Sequence, residues 1–150
     1  MRKELTVAEM LPLIEETIGS GGVFTLYPKG DSMKPLVRQG LDAVELCAID
    51  TVTVGDIVLF RRENGEFVLH RIVDEKPDGY VFCGDNQCVL EGGIKAEQFI
   101  AKVSAILREG KRYPTDLPEY LEYVATLPKR RKKIQRRATL RAIKKKIFGK

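Results

Sequence analysis

The sequence lacks any apolar run of the roughly 18 residues that a membrane-spanning helix requires, and residues 1–20 lack the apolar core of a signal peptide. It has only three cysteines, Cys47, Cys83 and Cys88, which form no Cys-x-x-Cys pair. This odd number favours a reducing compartment over a disulfide framework, and the sequence offers no partners for a metal site. The sequence also shows no internal repeat and no nucleotide-binding glycine loop. We therefore expect a cytoplasmic protein that uses no metal or cofactor.

Acidic residues are absent from residues 129–150, which hold twelve of the 26 Lys and Arg residues. Residues 1–128 are net negative, although the whole chain carries a formal charge of +5. If this tail is helical, Leu140, Ile143 and Ile147 share one face, with Phe148 beside it. A basic amphipathic helix suits peripheral contact with an anionic membrane. A disordered, solvated tail is the main alternative, and a nucleic-acid partner is the least favoured of the three.

A length of 150 residues with 43% hydrophobic residues is typical of one domain with a self-sufficient core. We divide the chain into an N-terminal helical segment (1–22), a β domain (23–113) and a C-terminal helix with the basic tail (114–150). The tail is the only segment whose composition differs sharply from the rest.

A helix is predicted at each end of the chain. The first begins with a capping box between Thr6 and Glu9 and ends at the glycines of residues 19–22. Its apolar side consists of Val7, Met10, Leu11, Ile14 and Ile18. This helix either packs on the core, which is the more common role, or guards a substrate cleft. The second helix is predicted to begin near Pro118 and to end before Pro128.

Short strands rich in β-forming residues are predicted between the helices, at 23–27, 43–47, 56–60, 67–73, 80–83 and 99–108. Turn sequences at residues 63–66 and 76–79 connect neighbouring strands as hairpins, which makes these strands antiparallel. The expected fold is therefore mainly β, with helices at both ends.

Residues 30–35 read Gly-Asp-Ser-Met-Lys-Pro and predict a constrained bend around Ser32. Gly30 is free to adopt a positive φ, and Pro35 restricts both itself and Lys34. Such a bend can present the Ser32 hydroxyl outward. The same residues are also common in ordinary turns and helix caps.

The only histidine of the chain, His70, lies in the predicted strand 67–73. A serine hydroxyl is a poor nucleophile at neutral pH unless an adjacent base takes its proton. Neutral imidazole, with a reference pKa of about 6.5, suits that task. Ser32 and His70 are therefore a candidate nucleophile and base.

Four sequence boxes follow one another in the order found in a known peptidase clan. They are Gly-Asp-Ser-Met at 30–33, Gly-Asp-Ile-Val-Leu-Phe at 55–60, His-Arg-Ile-Val at 70–73 and Gly-Asp-Asn at 84–86. Together they resemble the signal peptidase I and LexA-like serine peptidase clan, over roughly residues 23–106. Histidine in the third of these boxes resembles the archaeal and endoplasmic-reticulum branch, in which it replaces the lysine base.

The resemblance implies a fold of coiled antiparallel sheets and a serine endopeptidase that cleaves a peptide or protein precursor. It implies that Ser32 is the nucleophile and His70 the base, and that Asp31 and Met33 contact substrate. Asp85 is the candidate carboxylate that orients His70, with Glu91 as the alternative and a plain turn role for Asp85 also open.

The chain also departs from the resembled family. Signal peptidases often carry a hydroxyl two residues before the nucleophile, where this chain has Gly30, and they carry a membrane anchor that we do not find in this sequence. A non-catalytic peptide-binding or regulatory domain on the same fold remains the alternative function.

Overall fold

A computed structural model of the chain describes residues 4–149. Helix α1 spans Val7–Gly19 and helix α2 spans Pro118–Phe148, with a short 3-10 helix at Ala96–Gln98. Between them lie eight strands, which are β1 (Phe24–Leu26), β2 (Asp42–Cys47), β3 (Ile57–Arg61), β4 (Phe67–Lys76), β5 (Gly79–Cys83), β6 (Glu91–Ile94), β7 (Phe99–Arg108) and β8 (Lys111–Pro114).

The eight strands form one antiparallel sheet in the order β1-β2-β7-β3-β4-β5-β6, and β8 pairs with β7. The end strands β1 and β6 do not pair with each other in the described chain, so the sheet is open, and it is not strongly curled. The prediction of an antiparallel sheet with a helix at each end is confirmed.

All six predicted strands are present, but β6 and β8 were not predicted. β6 has the sequence Glu-Gly-Gly-Ile and β8 has Lys-Arg-Tyr-Pro, and neither shows a strand pattern. They are strands because β5 and β7 supply hydrogen-bonding partners for their backbones.

The long helix α2 corrects two predictions. The predicted C-terminal basic helix is present, but the break expected at Pro128 is wrong, because α2 is a continuous helix of 31 residues that includes Pro128. Proline inside a helix removes one backbone hydrogen bond, and the burial of the adjacent Leu127 offers packing that offsets this loss. With so long a helix the chain is mixed α/β and not mainly β.

Helix α1 begins with the predicted capping box. The Thr6 side chain accepts a hydrogen bond from the Glu9 N–H at 3.2 Å, and the Glu9 carboxylate accepts one from the Thr6 N–H at 3.3 Å. Ile14 and Ile18 are buried in the main core, so the packing role of this helix is confirmed.

Two apolar clusters hold the sheet. The larger joins α1 to residues of β1, β2, β3 and β7 and includes Met33 and Val37, which follow the Ser32 turn. The smaller is built around Phe60 and Phe82, whose ring centroids are 4.3 Å apart. Within residues 4–149, no helix is both long enough and apolar enough to cross a bilayer.

Candidate active site

Ser32 lies on a tight turn between β1 and β2. The Lys34 N–H donates to the Asp31 carbonyl at 3.2 Å, and the Val37 N–H donates to the Met33 carbonyl at 2.9 Å. Gly30 has a φ of +85°, as predicted for this bend. Met33 is 3% exposed, so the residue after Ser32 fastens the turn to the core while Ser32 stays partly accessible.

His70 lies in β4, where it pairs with Val58 of β3, and it is 8% exposed. Successive residues of a strand point to opposite faces of a sheet. Leu69 packs in the same core cluster as Met33, so His70 lies on the other face of β4. The pairing of β4 with β5 begins at Arg71, so in the described chain residues 67–70 pair only with β3.

Ser32 and His70 line the same groove, whose volume is about 550 Å³. The groove runs between the first turn of α1, the segment after β1 and the open edge of β4. Two residues 38 positions apart in the sequence thus face one cavity, as the predicted pairing of nucleophile and base requires. The N-terminal end of α1 forms one wall of this cleft.

The two side chains are not hydrogen-bonded to each other: among the hydrogen bonds of residues 4–149, none joins Ser32 to His70. The backbone N–H groups of Ser32 and Met33 likewise donate no hydrogen bond within the described chain.

The environment of His70 favours its neutral form. Burial lowers the pKa of its imidazole below the ordinary value of 6.5, and the nearby Arg62 guanidinium lowers it further. The carboxylates of Glu91 and Asp85 oppose this shift without reversing it. At neutral pH His70 is therefore uncharged and able to accept a proton.

Asp85 is not placed to orient His70. Arg71 donates to both oxygens of its carboxylate, each at 2.8 Å, and the Tyr123 hydroxyl donates to Oδ2 at 2.9 Å. No hydrogen bond in the described chain joins Asp85 to His70. The carboxylate of Asp85 is hydrogen-bonded to Arg71 and Tyr123, so the contacts of the structure give no support to the predicted orienting role.

The Arg71–Asp85 pair is almost completely buried, with side-chain exposures of 2% and 1%. Arg71 also donates to the Gly55 carbonyl at 2.7 Å and to the Tyr120 hydroxyl at 2.9 Å. Burial alone would lower the pKa of Arg71, but Asp85 outweighs it and the pKa is raised. The guanidinium is therefore a permanent charge that ties β4 to α2.

The alternative carboxylate, Glu91, is also engaged elsewhere. Arg62 donates from Nε to Glu91 Oε2 and from Nη2 to Oε1, each at 2.9 Å. As with Asp85, no hydrogen bond to His70 is found for Glu91 among residues 4–149. The structure thus supplies His70 with nearby carboxylate charge but with no bonded acidic partner.

Asn86 holds the Ser32 turn. Its backbone N–H donates to the Ser32 carbonyl at 2.8 Å, and its side-chain amide donates to the Asp31 carbonyl at 3.1 Å. Gly84 approaches the same carbonyl so closely that an added Cβ would lie 2.6 Å from the Ser32 oxygen. The Gly-Asp-Asn box therefore positions the Ser32 turn.

Helix α2 also forms hydrogen bonds with the Gly-Asp-Asn box at 84–86. Arg130 donates to the Asp85 carbonyl at 3.1 Å and to the Asn86 side-chain oxygen at 3.0 Å, and Tyr123 contacts the Asp85 carboxylate. Asn86 and Arg71 belong to the sequence boxes, but the sequence did not indicate their roles. Tyr123 and Arg130 were not predicted as site residues. No local pattern marks these two residues, since they lie 38 and 45 residues beyond Asp85.

The two predicted substrate contacts differ in position. Met33 lines the groove as well as the core. Asp31 is exposed, does not line the groove and forms an ion pair with Lys34 at 3.1 Å. Of the two, only Met33 lines the groove.

The described residues contain no group of three or more His, Cys, Asp or Glu side chains able to hold a metal ion. The cysteines Cys47, Cys83 and Cys88 are free thiols.

Comparison with known proteins gives no assignment: no family model, no curated protein and no solved structure matches the chain.

Proposed function

We propose that this protein is a serine endopeptidase that cleaves a peptide or protein precursor, with Ser32 as nucleophile and His70 as general base. The observation that carries the proposal is that both side chains line one groove. The four sequence boxes that resemble the signal peptidase I and LexA-like clan support the same function. The coiled sheets that the resemblance implies differ from the open, weakly curled sheet of this chain, so the support comes from the boxes, which lie on neighbouring elements of that sheet.

In the proposed reaction, Ser32 Oγ attacks the scissile carbonyl carbon while His70 takes the hydroxyl proton. The C–N bond then breaks, and the imidazolium returns the proton to the leaving amine. Water, activated by the same imidazole, hydrolyses the acyl-enzyme and releases Ser32. The backbone N–H groups of Ser32 and Met33 are the candidate donors to the oxyanion, since neither has a hydrogen-bond acceptor in the described chain.

The lowered pKa of His70 supports its role as base, because the neutral imidazole predominates at neutral pH. The apo groove holds the two side chains without a hydrogen bond between them. Catalytic hydrogen bonds often tighten only when substrate is bound, so a bound peptide is expected to complete the pair.

The open edge of β4 suggests how a peptide binds. Residues 67–70 have no strand neighbour on the groove side within the described chain, and an extended peptide can add there as a further strand. Its side chains would alternate between the groove and solvent. Met33 and Val68, which line the groove, would contact the inward-pointing ones.

A non-catalytic peptide-binding domain is the second candidate function. The absence of a hydrogen bond between Ser32 and His70 in the described chain favours it, because peptide capture at the edge of β4 needs no nucleophile. The two functions share the groove and differ only in whether the bound peptide is cut.

The deciding experiment measures cleavage of an unstructured peptide library by mass spectrometry across a pH series. Ser32→Ala and His70→Ala should each lower cleavage at least about a hundredfold and by similar factors, since nucleophile and base act as one unit. Ser20→Ala, a serine at the end of α1 outside the groove, is the matched control and should keep full activity.

The acid limb of the cleavage profile should lie below pH 6.5, because burial lowers the pKa of His70. Peptides that bind, by fluorescence anisotropy, without being cut at any pH would establish the binding domain instead. Full cleavage by His70→Ala with none by Ser32→Ala would assign the base to another residue.

A further inference from the structure

The second half of α2 is exposed to solvent along its whole described length. Every described residue from Gln135 to Phe148 is exposed, whereas Leu127 earlier in the helix is buried and Arg130 is partly buried. The helix nevertheless remains continuous to its C-cap, Gly149, whose φ is +69°. A helical half with no buried side chain gains little stability from packing on its own protein, so its composition points to an external partner.

The charge of this segment points to an anionic partner. Residues 129–150 hold twelve Lys or Arg and no acidic residue. Within the described part of the chain, no ion pair includes a cation beyond Pro128. The body of the protein therefore leaves this charge uncompensated.

The segment also exposes large apolar side chains. Leu140, Ile143 and Ile147 are 57%, 47% and 68% exposed, and Phe148 is 73% exposed. Spacings of three, four and seven residues place the first three on one side of a helix. A partner that matches only the positive charge would leave these side chains in water.

We propose that residues 135–148 form a docking surface for an anionic lipid bilayer, lying at the interface with the apolar side chains inserted and the cations against the headgroups. This proposal does not depend on proteolysis. Nucleic acid offers the same negative charge, but phosphate contacts need only Lys and Arg. The exposed Leu140, Ile143 and Ile147 side therefore favours lipid.

Because α2 is continuous, docking of its second half also limits the distance between the groove and the bilayer. Arg130 is fastened to Asp85 and Asn86, and Phe148 lies 18 residues further along the helix. At 1.5 Å per residue this separation is roughly 27 Å. Docking would thus hold the Ser32 turn within about that distance of the bilayer.

The test is sedimentation of the full-length chain with vesicles of phosphatidylcholine alone and with vesicles of equal phosphatidylcholine and phosphatidylglycerol. We expect binding only to the anionic vesicles, weakened by added salt because exposed charges are screened. Reversing Lys144 to Glu should weaken binding by more than about fivefold, since each cation near such a surface contributes to attraction. Ser32→Ala should bind as the wild type does.

The apolar contribution is tested by Leu140→Gln against Leu121→Gln. The two leucines lie on the same helix and are 57% and 56% exposed, but Leu121 lies before the exposed half. Leu140→Gln should lower vesicle binding about tenfold through lost apolar burial, and Leu121→Gln should not change it. Circular dichroism of both variants verifies that the helix is retained.

A gel-shift assay with duplex DNA and with RNA tests nucleic acid as the alternative partner. Nucleic-acid binding that persists in Leu140→Gln, together with no sedimentation on anionic vesicles, would overturn the lipid assignment in favour of nucleic acid. Absence of binding to both would overturn the docking surface altogether. Equal vesicle binding by Leu140→Gln and the wild type would show that insertion of the apolar side chains does not contribute to binding.

Discussion

The backbone N–H of Asn86 donates a 2.8 Å hydrogen bond to the carbonyl oxygen of Ser32. This single contact joins the turn after β5 to the turn after β1, and it places the fourth and first sequence boxes of the resemblance side by side. Asp85 and Asn86 in turn accept hydrogen bonds from the side chains of Arg71, Tyr123 and Arg130. The position of Ser32 therefore depends on strand β4 and helix α2 as much as on its own turn.

The first prediction concerns Gly84. An alanine Cβ there would lie 2.6 Å from the Ser32 carbonyl oxygen, so one of the two turns must move. We expect Gly84→Ala to lower the free energy of unfolding by about 1–3 kcal/mol. Cleavage should fall as well, because the displaced carbonyl belongs to the nucleophile. Urea unfolding and peptide cleavage measure the two effects.

Gly92→Ala is the control for this change, since its Cβ would meet nothing closer than Val81 at 3.8 Å. It should alter the free energy of unfolding by less than about 0.5 kcal/mol. Equal behaviour of the two variants would show that close approach at Gly84 does not position Ser32.

The second prediction concerns the Arg71–Asp85 pair. Asp85→Asn leaves the buried guanidinium without its countercharge, and Arg71→Met leaves the carboxylate alone. Each should lower the free energy of unfolding by about 3–5 kcal/mol. The double variant should lower the free energy of unfolding by less than the sum of the two single effects, because the residues act as one pair. Denaturant unfolding of all four proteins gives the coupling energy.

The exposed pair of Arg112 with Glu45 is the comparison. Arg112→Met should change the free energy of unfolding by less than about 1 kcal/mol, since water screens this pair. An Asp85→Asn variant as stable as the wild type would show that the buried pair does not stabilise the fold.

The third prediction concerns the titration of His70. Its pKa in the folded protein lies below 6.5, so the unfolded chain binds the proton more readily. The contribution of His70 to stability is therefore complete above pH 6.5 and is lost as the pH falls from there through the folded pKa. Arg62 reinforces this loss, while Glu91 and Asp85 reduce it.

Urea unfolding measured above and below pH 6.5 should show a smaller pH dependence in His70→Gln than in the wild type. Asp and Glu residues titrate in both proteins and cancel in the comparison. The same pH dependence in the two proteins would mean that His70 keeps its ordinary pKa when folded.

Local sequence patterns predicted much of the fold. The Thr6–Glu9 capping box, the bend at Gly30 and six of the eight strands follow from propensity, spacing and turn chemistry, which act over a few residues. The sequence predicted Ser32 and His70 as a nucleophile and base, and the structure brings the two residues to one cavity.

Only the tertiary structure decided the remaining features, because their partners are distant in sequence. β6 and β8 are strands because of the neighbours with which they pair, and α2 passes Pro128 with Leu127 packed beside it. Asp85 was predicted to orient His70, because a carboxylate can hold the ring of a catalytic base in place. In the structure its carboxylate oxygens accept hydrogen bonds from Arg71 and Tyr123 instead. Sequence alone gives the chemical type of such a residue, whereas its hydrogen-bond partner is set by which side chains the packed fold brings within reach.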